Sequence, residues 1–314
     1  MVFFEENRSA DISKAEIVKS LYCFFADIQE TDIRFFYHGS YNVYEVKNQY
    51  IFRIPDIHFR NIKGIRLIQN EIKMLYHIQK YVSVPIPEPI YISFDPDCPL
   101  MGYEKIEGVP LSRCFYKVSR NQKLRIAREI GEFLSELHSD DLYQSAIRNQ
   151  IVDDIFSCDK YKSEWEDYFE RAQKKIFQML TPNQKDWINN LFNTFLSKDV
   201  NFNFRYSIIH GDFDITNIVV DPHSLKITGI VDFEESRIYD PAADFLFFDE
   251  GDIFLNNIFL SYKRNIDSQF QERMKFLYGR SCLGYIEFGM ENNLPDMIEA
   301  GIKLLKNKIN RFPS

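Results

Sequence analysis

The chain has 314 residues with 12 Gly, 12 Pro, 45% hydrophobic and 27% charged side chains, which excludes collagenous, low-complexity and globally disordered proteins. At about 150 residues per domain, this length predicts two domains or lobes. The 38 Lys and Arg stand against 46 Asp and Glu, a net charge of −8 that argues against a broad nucleic-acid footprint and leans toward cationic small molecules.

The first residues, Met1-Val-Phe-Phe-Glu-Glu, carry acids where a signal peptide needs basic residues. No run approaches the roughly 18 apolar residues of a membrane span. Cys23, Cys98, Cys114, Cys158 and Cys282 are scattered and form no C-x-x-C pair, so neither a disulfide framework nor a zinc knuckle is expected. The expectation is a reduced, cytoplasmic, monomeric protein.

Apolar residues at helical spacing over 13–29 (Ile17, Leu21, Phe24, Phe25, Ile28) predict a first helix, with Ser13 as its N-cap. The period then changes. Short aromatic and β-branched runs at 33–37, 42–46 and 50–54, separated by His38-Gly39-Ser40 and Lys47-Asn48-Gln49, predict an antiparallel meander. A helix is expected near 65–80, broken by Pro85, Pro87 and Pro89 before two strands at 90–94 and 101–106. After a short connector at 104–108 the pattern is mostly helical: 122–138, 162–180, 183–197, 241–249, 252–263, 268–290 and 296–307. A strand-loop-strand insert occupies 206–233. The fold class expected is α+β, with a small antiparallel-sheet lobe at 1–103, a hinge at 104–108 and a larger helical lobe at 109–314. An active site between the two follows from that plan.

The chemistry concentrates in the insert. An apolar strand ends in His210-Gly211-Asp212, and Asn217 opens the next strand five positions after Asp212. A second apolar strand, Ile227-Thr-Gly-Ile-Val, ends on Asp232. Strands that terminate in Asp, Asn and Asp can converge three oxygen donors on one point, which suits Mg²⁺ with phosphates as co-ligands. Phosphoryl transfer needs these parts: an acid to take the nucleophile's proton, and an Asn and an Asp to hold metal. A loop whose Asp and Asn merely cap turns is the bland alternative.

His210-Gly-Asp-x-x-x-x-Asn217, Ile230-Val-Asp232-Phe and Asp240-Pro241-x-x-Asp244-Phe245 together resemble the aminoglycoside phosphotransferase family within the protein-kinase-like fold. Upstream, Tyr50-Ile-Phe-Arg53-Ile-Pro, Asn70-Glu71 and Gly102-Tyr-Glu-Lys-Ile-Glu-Gly108 resemble its 2''-phosphotransferase branch most closely. The resemblance implies a bilobal kinase-like fold, with Asp212 as catalytic base and Asn217 and Asp232 as Mg²⁺ ligands. It also implies a nucleotide base at the hinge, residues 104–106, with Glu104 and Ile106 among its contacts. Tyr103, just before the hinge, goes with guanine use in that branch, so GTP is favoured over ATP; a plain core tyrosine is the equal alternative.

Departures from the kinase pattern are equally readable. Arg53 stands where kinases place Lys, with Glu71 its expected partner, and Arg grips phosphate differently from Lys. The phosphate-covering turn holds one glycine, Gly39-Ser40, which also reads as an ordinary hairpin turn. Asp240 with Pro241 is a standard helix start, and Asp244 one turn on is placed to brace the catalytic loop, as is His210 beside Asp212. Asp240 follows Asp232 by only eight positions, too few for a protein-docking activation segment, which favours a small-molecule kinase. A cationic acceptor needs carboxylates, and Asp249, Glu250, Asp252 and Glu287 are the candidates against a reading as solvated acids. His58, His77, His138 and His223 lack partner spacing and read as surface or core fillers. A macrolide, choline or homoserine kinase, and a kinase-like sensor without turnover, remain alternatives.

Overall fold

The computed structural model describes residues 9–57, 60–152 and 156–312; His58 lies outside them. Helix α1 (Lys14–Leu21) opens at a capping box in which the Ser13 side chain accepts from Glu16 N and Glu16 accepts from Ser13 N. It stops eight residues short of the predicted end. Phe24 N and Phe25 N both bond Leu21 O, and the turn swings Phe25 onto Tyr50, Phe52 and Tyr91, ring centroids 5.0–6.1 Å away. A straight helix would carry that ring past the cluster, so aromatic packing outweighs helical continuation.

Strands β1 (Ile33–His38), β2 (Tyr41–Val46), β3 (Tyr50–Pro55), β4 (Tyr91–Ser93) and β5 (Leu100–Glu104) form one antiparallel sheet in the order β1-β2-β3-β5-β4. Val43 pairs with Arg53 and Ile51 with Tyr103, so alternation puts Tyr41, Arg53, Ile51 and Tyr103 on one face. Tyr44, Val46, Phe52 and Ile54 occupy the other and pack with Ile17 and Leu21 of α1. Gly102 is required there, since a Cβ would stand 2.4 Å from the Phe52 ring. Helix α2 (Ile62–Ile78) joins the Arg53 side through Ile68, Ile72 and Leu75.

Past Glu104 the chain makes β6 (Val109–Pro110), then α3 (Arg120–Leu137), α4 (Asp140–Arg148), α5 (Cys158–Lys175) and α6 (Pro182–Leu196). Strands β7 (Ser207–Ile209) and β10 (Arg237–Tyr239) pair with each other, while β8 (Ile218–Val220) lies between β6 and β9 (Ile227–Ile230). Helices α7 (Asp252–Ser261), α8 (Phe270–Glu291) and α9 (Pro295–Arg311) close the chain. The molecule is thus the expected α+β, kinase-like arrangement of a sheet-bearing part and a helical part. Among the described residues no helix is long and apolar enough to cross a membrane, and all five cysteines are free.

Besides α1, two elements differ in kind from expectation. Helix α4, nine residues capped by Ser139, was not anticipated. The predicted helix at 241–249 is a 3₁₀ turn, Pro241–Phe245, followed by irregular chain. Phe245, Phe247 and Phe248 are all buried, and a helix with a single apolar face cannot bury all three.

Candidate active site

Strand β7 delivers His210 into the interior, where its ring lies 4.5 Å from Phe233 and 5.3 Å from Phe213. Its Nε2–H donates to Val231 O (2.9 Å), leaving Nδ1 facing Asp212 N at 3.4 Å. Burial pushes the imidazole below its usual range, consistent with this neutral tautomer. The chain then turns at Gly211 with φ 93°, and a Cβ there would stand 2.4 Å from Glu235 O. No other residue fits that turn.

Two buried acids stand behind the turn, and Asp244 bonds it directly. Asp244 accepts from His210 N (2.8 Å), Gly211 N (3.0 Å) and His138 Nε2 (3.1 Å), and His138 Nδ1 lies 3.0 Å from the Tyr262 hydroxyl. Burial alone would raise the Asp244 carboxyl, yet the His138 bond and charge and the neighbouring donors hold it low. Asp240 accepts from Ala242 N (3.0 Å), Tyr161 OH (3.1 Å) and Arg273 Nε (2.8 Å). Arg273 then forks onto both oxygens of Asp267 at 2.8 Å each. His138, read from sequence as a filler, is therefore part of the loop's support, and Arg273 was not singled out at all. Of the other histidines, His77 is buried and His223 exposed.

In front of the turn, Asn217 Nδ2 donates to Asp212 O (2.8 Å) and to Asp212 Oδ2 (3.3 Å). Asn217 O accepts from Val231 N (2.9 Å), which ties β8 to the residue before Asp232. Asp232 has φ 71°, a strained left-handed conformation for a non-glycine residue at the end of a strand. Its Oδ1 receives Arg53 Nη2 at 2.7 Å, and Glu234 Oε2 receives the same nitrogen at 2.9 Å. Arg53 Nη1 donates to Glu71, and the guanidinium lies 4.2 Å from the centre of the Tyr41 ring.

One buried cation thus faces three carboxylates, with Asp212 and Asp214 nearby. The surplus raises the pKa values of its members. Burial, then the charges of Asp214, Asp232 and Glu235, push Asp212 up to about 7. Burial and the Asp232 charge push Glu234 up to about 8, and burial pushes Glu71 to about 7 against the pull of Arg53. Such a set of oxygen donors can hold a divalent cation and accept a proton.

The profile of the phosphotransferase enzyme family matches residues 32–266. The chain belongs to that family. Among solved structures, the GDP complex of aminoglycoside 2'-phosphotransferase-IIIa is 22% identical, with a TM-score of 0.82 over 96% of this chain and 100% of the other. The ADP-bound aminoglycoside phosphotransferase APH(2'')-Ib is 20% identical, TM-score 0.65 over 94% of this chain and 98% of the other. The macrolide 2'-phosphotransferase MphH from Brachybacterium faecium is 14% identical, TM-score 0.69 over 92% of this chain and 97% of the other. At these identities the likeness concerns the fold.

In this phosphotransferase the remaining sequence-predicted residues fall on both sides of the turn. Gly39 and Ser40 join β1 to β2 at the end of the sheet that carries Arg53. Tyr103 is buried opposite Ile51, Glu104 is exposed, and Ile106 packs over Gly229.

The acidic candidates separate. Asp249 accepts from Tyr278 OH at 2.7 Å. Neither carboxylate oxygen of Glu250 is accessible or has a hydrogen-bond partner among the described residues, and burial with the Asp249 and Asp214 charges raises its pKa to about 7. Asp252, by contrast, is exposed and pairs with Arg311 of α9 (3.1 Å), while Glu287 lies 3.9 Å from Arg171 of α5. Sequence reasoning missed Glu234, Tyr41 and Asp214; the two acids each stand two residues from a recognised one, which is the only signal they offer.

Proposed function

We propose that this phosphotransferase moves the γ-phosphoryl group of a nucleoside triphosphate, GTP in preference to ATP, to a hydroxyl of an aminoglycoside, with Mg²⁺ as cofactor. Residues 1–103 form the nucleotide-binding lobe, 104–108 the hinge and 109–314 the helical lobe. The observation that carries this reading is the surplus of carboxylate on both sides of Asp212. On the donor side, Asp232, Glu234 and Glu71 share one arginine; on the acceptor side, Glu250 is buried with no partner among the described residues. A buried charge without compensation is costly, and each side is relieved by a cation that the ligands would bring.

The donor set fits magnesium: it is all oxygen, and the amide nitrogen of Asn217 is committed to Asp212, which leaves the amide oxygen for the metal. Asn217 and Asp232 would hold Mg²⁺, which when bound neutralises the donor's phosphate oxygens. Asp212 takes the proton from the acceptor hydroxyl as its oxygen bonds to phosphorus and the bridging bond to the β-phosphate breaks. Arg53, held by Glu71 and resting on Tyr41, grips the donor phosphates once they compete with Asp232 and Glu234 for its second nitrogen. Asp244, His138 and His210 keep Asp212 in place. Buried Tyr103 narrows the base pocket before the hinge, and the GDP-bound aminoglycoside enzyme among the similar structures supports guanine. Asp249, with the Glu250 charge buried behind it, draws acceptor ammonium groups to this side, while Asp252 and Glu287 face Arg311 and Arg171.

A macrolide is the second reading, because the ring of Tyr116, 61% exposed, lies near Glu250 and offers an aromatic face. The test is a transfer assay with GTP and ATP separately against aminoglycosides, macrolides and amino alcohols. The account expects phosphorylated aminoglycoside, made faster with GTP. Product only from macrolides or amino alcohols would overturn the acceptor assignment, and nucleotide binding with no product from any alcohol would overturn the reaction.

A further inference from the structure

The Gly39-Ser40 turn, at the end of the sheet that carries Arg53, is closed by an opposed pair, His38 at the end of β1 and Asn42 in β2. Both side chains are buried, at 4% and 0% exposure, and segment Ser9–Asp11 crosses behind them. His38 Nδ1–H donates to Ser9 O (2.8 Å), and its Nε2 lies 3.0 Å from Asp56 Oδ2 and 3.5 Å from Asp11 Oδ2. Asn42 Nδ2 donates to Asp11 Oδ1 (2.7 Å), and Asp11 N donates back to Asn42 Oδ1 (3.2 Å). The same Asp11 carboxylate accepts from Ile57 N (2.7 Å) and from Arg60. Asp56 N completes the enclosure by donating to Ser40 O at 2.9 Å. One carboxylate and one imidazole therefore join both ends of a two-residue turn to the chain beyond β3.

His38, Asp11 and Asp56 also have the spacing of a cation site, with ligand atoms within 4.8 Å of one another. Arg60 and Ile57 N already occupy the two Asp11 oxygens, and His38 is in contact with Asp56, so the trio satisfies itself. A network with every member engaged rigidifies what it holds. What it holds is Gly39-Ser40, whose following residue, Tyr41, supports the Arg53 guanidinium.

We propose that segment Ser9–Asp11 with His38 and Asp56 is a clamp, built from the back of the sheet, that fixes the Gly39-Ser40 turn over the donor phosphates. Asp11 and His38 are its positioning residues; the inference rests on the donor-site reading given above. Nothing in the clamp touches the acceptor or Asp212, so its loss weakens donor binding and leaves the chemical step alone.

The experiment measures KM for donor and acceptor, kcat, calorimetric binding of Mg²⁺ with GTP or ATP, and hydrogen exchange over residues 37–43. Asp11→Ala and His38→Ala are expected to raise donor KM about tenfold, the loss of a charge-assisted hydrogen bond, with kcat and acceptor KM within about twofold. Asp11→Asn keeps the acceptor for Asn42 and is expected to lie between, at about threefold, which preserves the test if Asp11→Ala folds poorly. Exchange at 37–43 should quicken in the same order, and Asp27→Ala, which breaks an exposed ion pair with Lys47 in the same lobe, should change none of these. Unchanged donor KM and exchange in Asp11→Asn, or a loss confined to kcat, would overturn the clamp. If wild type binds neither nucleotide, the donor site and the clamp fall together; if wild type binds and the variants bind equally, only the clamp falls.

Discussion

Asp240 and Asp244 on one side of the His210–Asp212 turn, and Asp212, Asp232 and Glu234 on the other, are drawn from the same 33-residue stretch yet are treated oppositely by their surroundings. The first pair is fully buried, and every contact described for it is a protein donor: two backbone amides and His138 for Asp244, Arg273, Tyr161 and an amide for Asp240. The second group shares one nitrogen of Arg53 between Asp232 and Glu234, and among the described residues the Asp212 carboxylate meets only the Asn217 amide. Satisfied acids build the frame, and acids left in surplus wait for a ligand. That difference separates structural from functional carboxylates better than sequence position does.

The largest effect expected follows directly. Asp212→Asn should lower turnover by about 10²–10⁴-fold while leaving the melting temperature unchanged or higher, since it removes one surplus charge. Near-normal turnover would end its assignment as base. On the satisfied side the signs reverse: Arg273→Met should cost about 3–5 kcal/mol in a denaturant titration, because Asp240 is left buried and uncompensated. A loss below about 1 kcal/mol would mean that Asp240 is not held as described. Smaller again is the pH dependence on the acceptor side. Glu250 has its pKa raised to about 7, so it is a carboxylate above that pH and neutral below it. Between pH 8 and pH 6 its ionised share falls to roughly a tenth, and KM for a cationic acceptor should rise by up to about tenfold. Glu250→Gln should lose that difference; the same rise in the variant would remove Glu250 from the acceptor site.

How much of this was legible beforehand depends on how local the physics is. Asp212 and Asn217 stand five residues apart around one turn, and the apolar run before Asp232 is a strand by composition, so loop and partners could be read together. Arg53 with Glu71 was readable because an inward arginine on a strand needs a carboxylate. Glu234 was not, since it reaches Arg53 across 181 positions and only the fold brings them together. Asp249 to Asp252 looked like one acidic surface, but Asp252 starts α7 pointing at Arg311, while Glu250 is drawn inward. The aromatic residues explain both misplaced helices: Phe24 and Phe25 were counted into a longer α1, and Phe245 to Phe248 lie in the stretch expected as a helix at 241–249. Ring packing from several directions broke the periodicity in both places.

The account's central claim is that the donor-side carboxylates are held in surplus for a metal-bound nucleotide. Asp212 and Glu234 have raised values, about 7 and about 8, so the folded state keeps protons that the unfolded state has lost, and stability declines as pH rises from about 4 to 8. Melting temperature with and without Mg²⁺ and a non-hydrolysable GTP analogue, at pH 8 and pH 5.5, reads this directly. The account predicts a rise of several degrees at pH 8, a clearly smaller one at pH 5.5, and neither in Asp232→Asn. An equal rise at both pH values, or one that survives in Asp232→Asn, would contradict it.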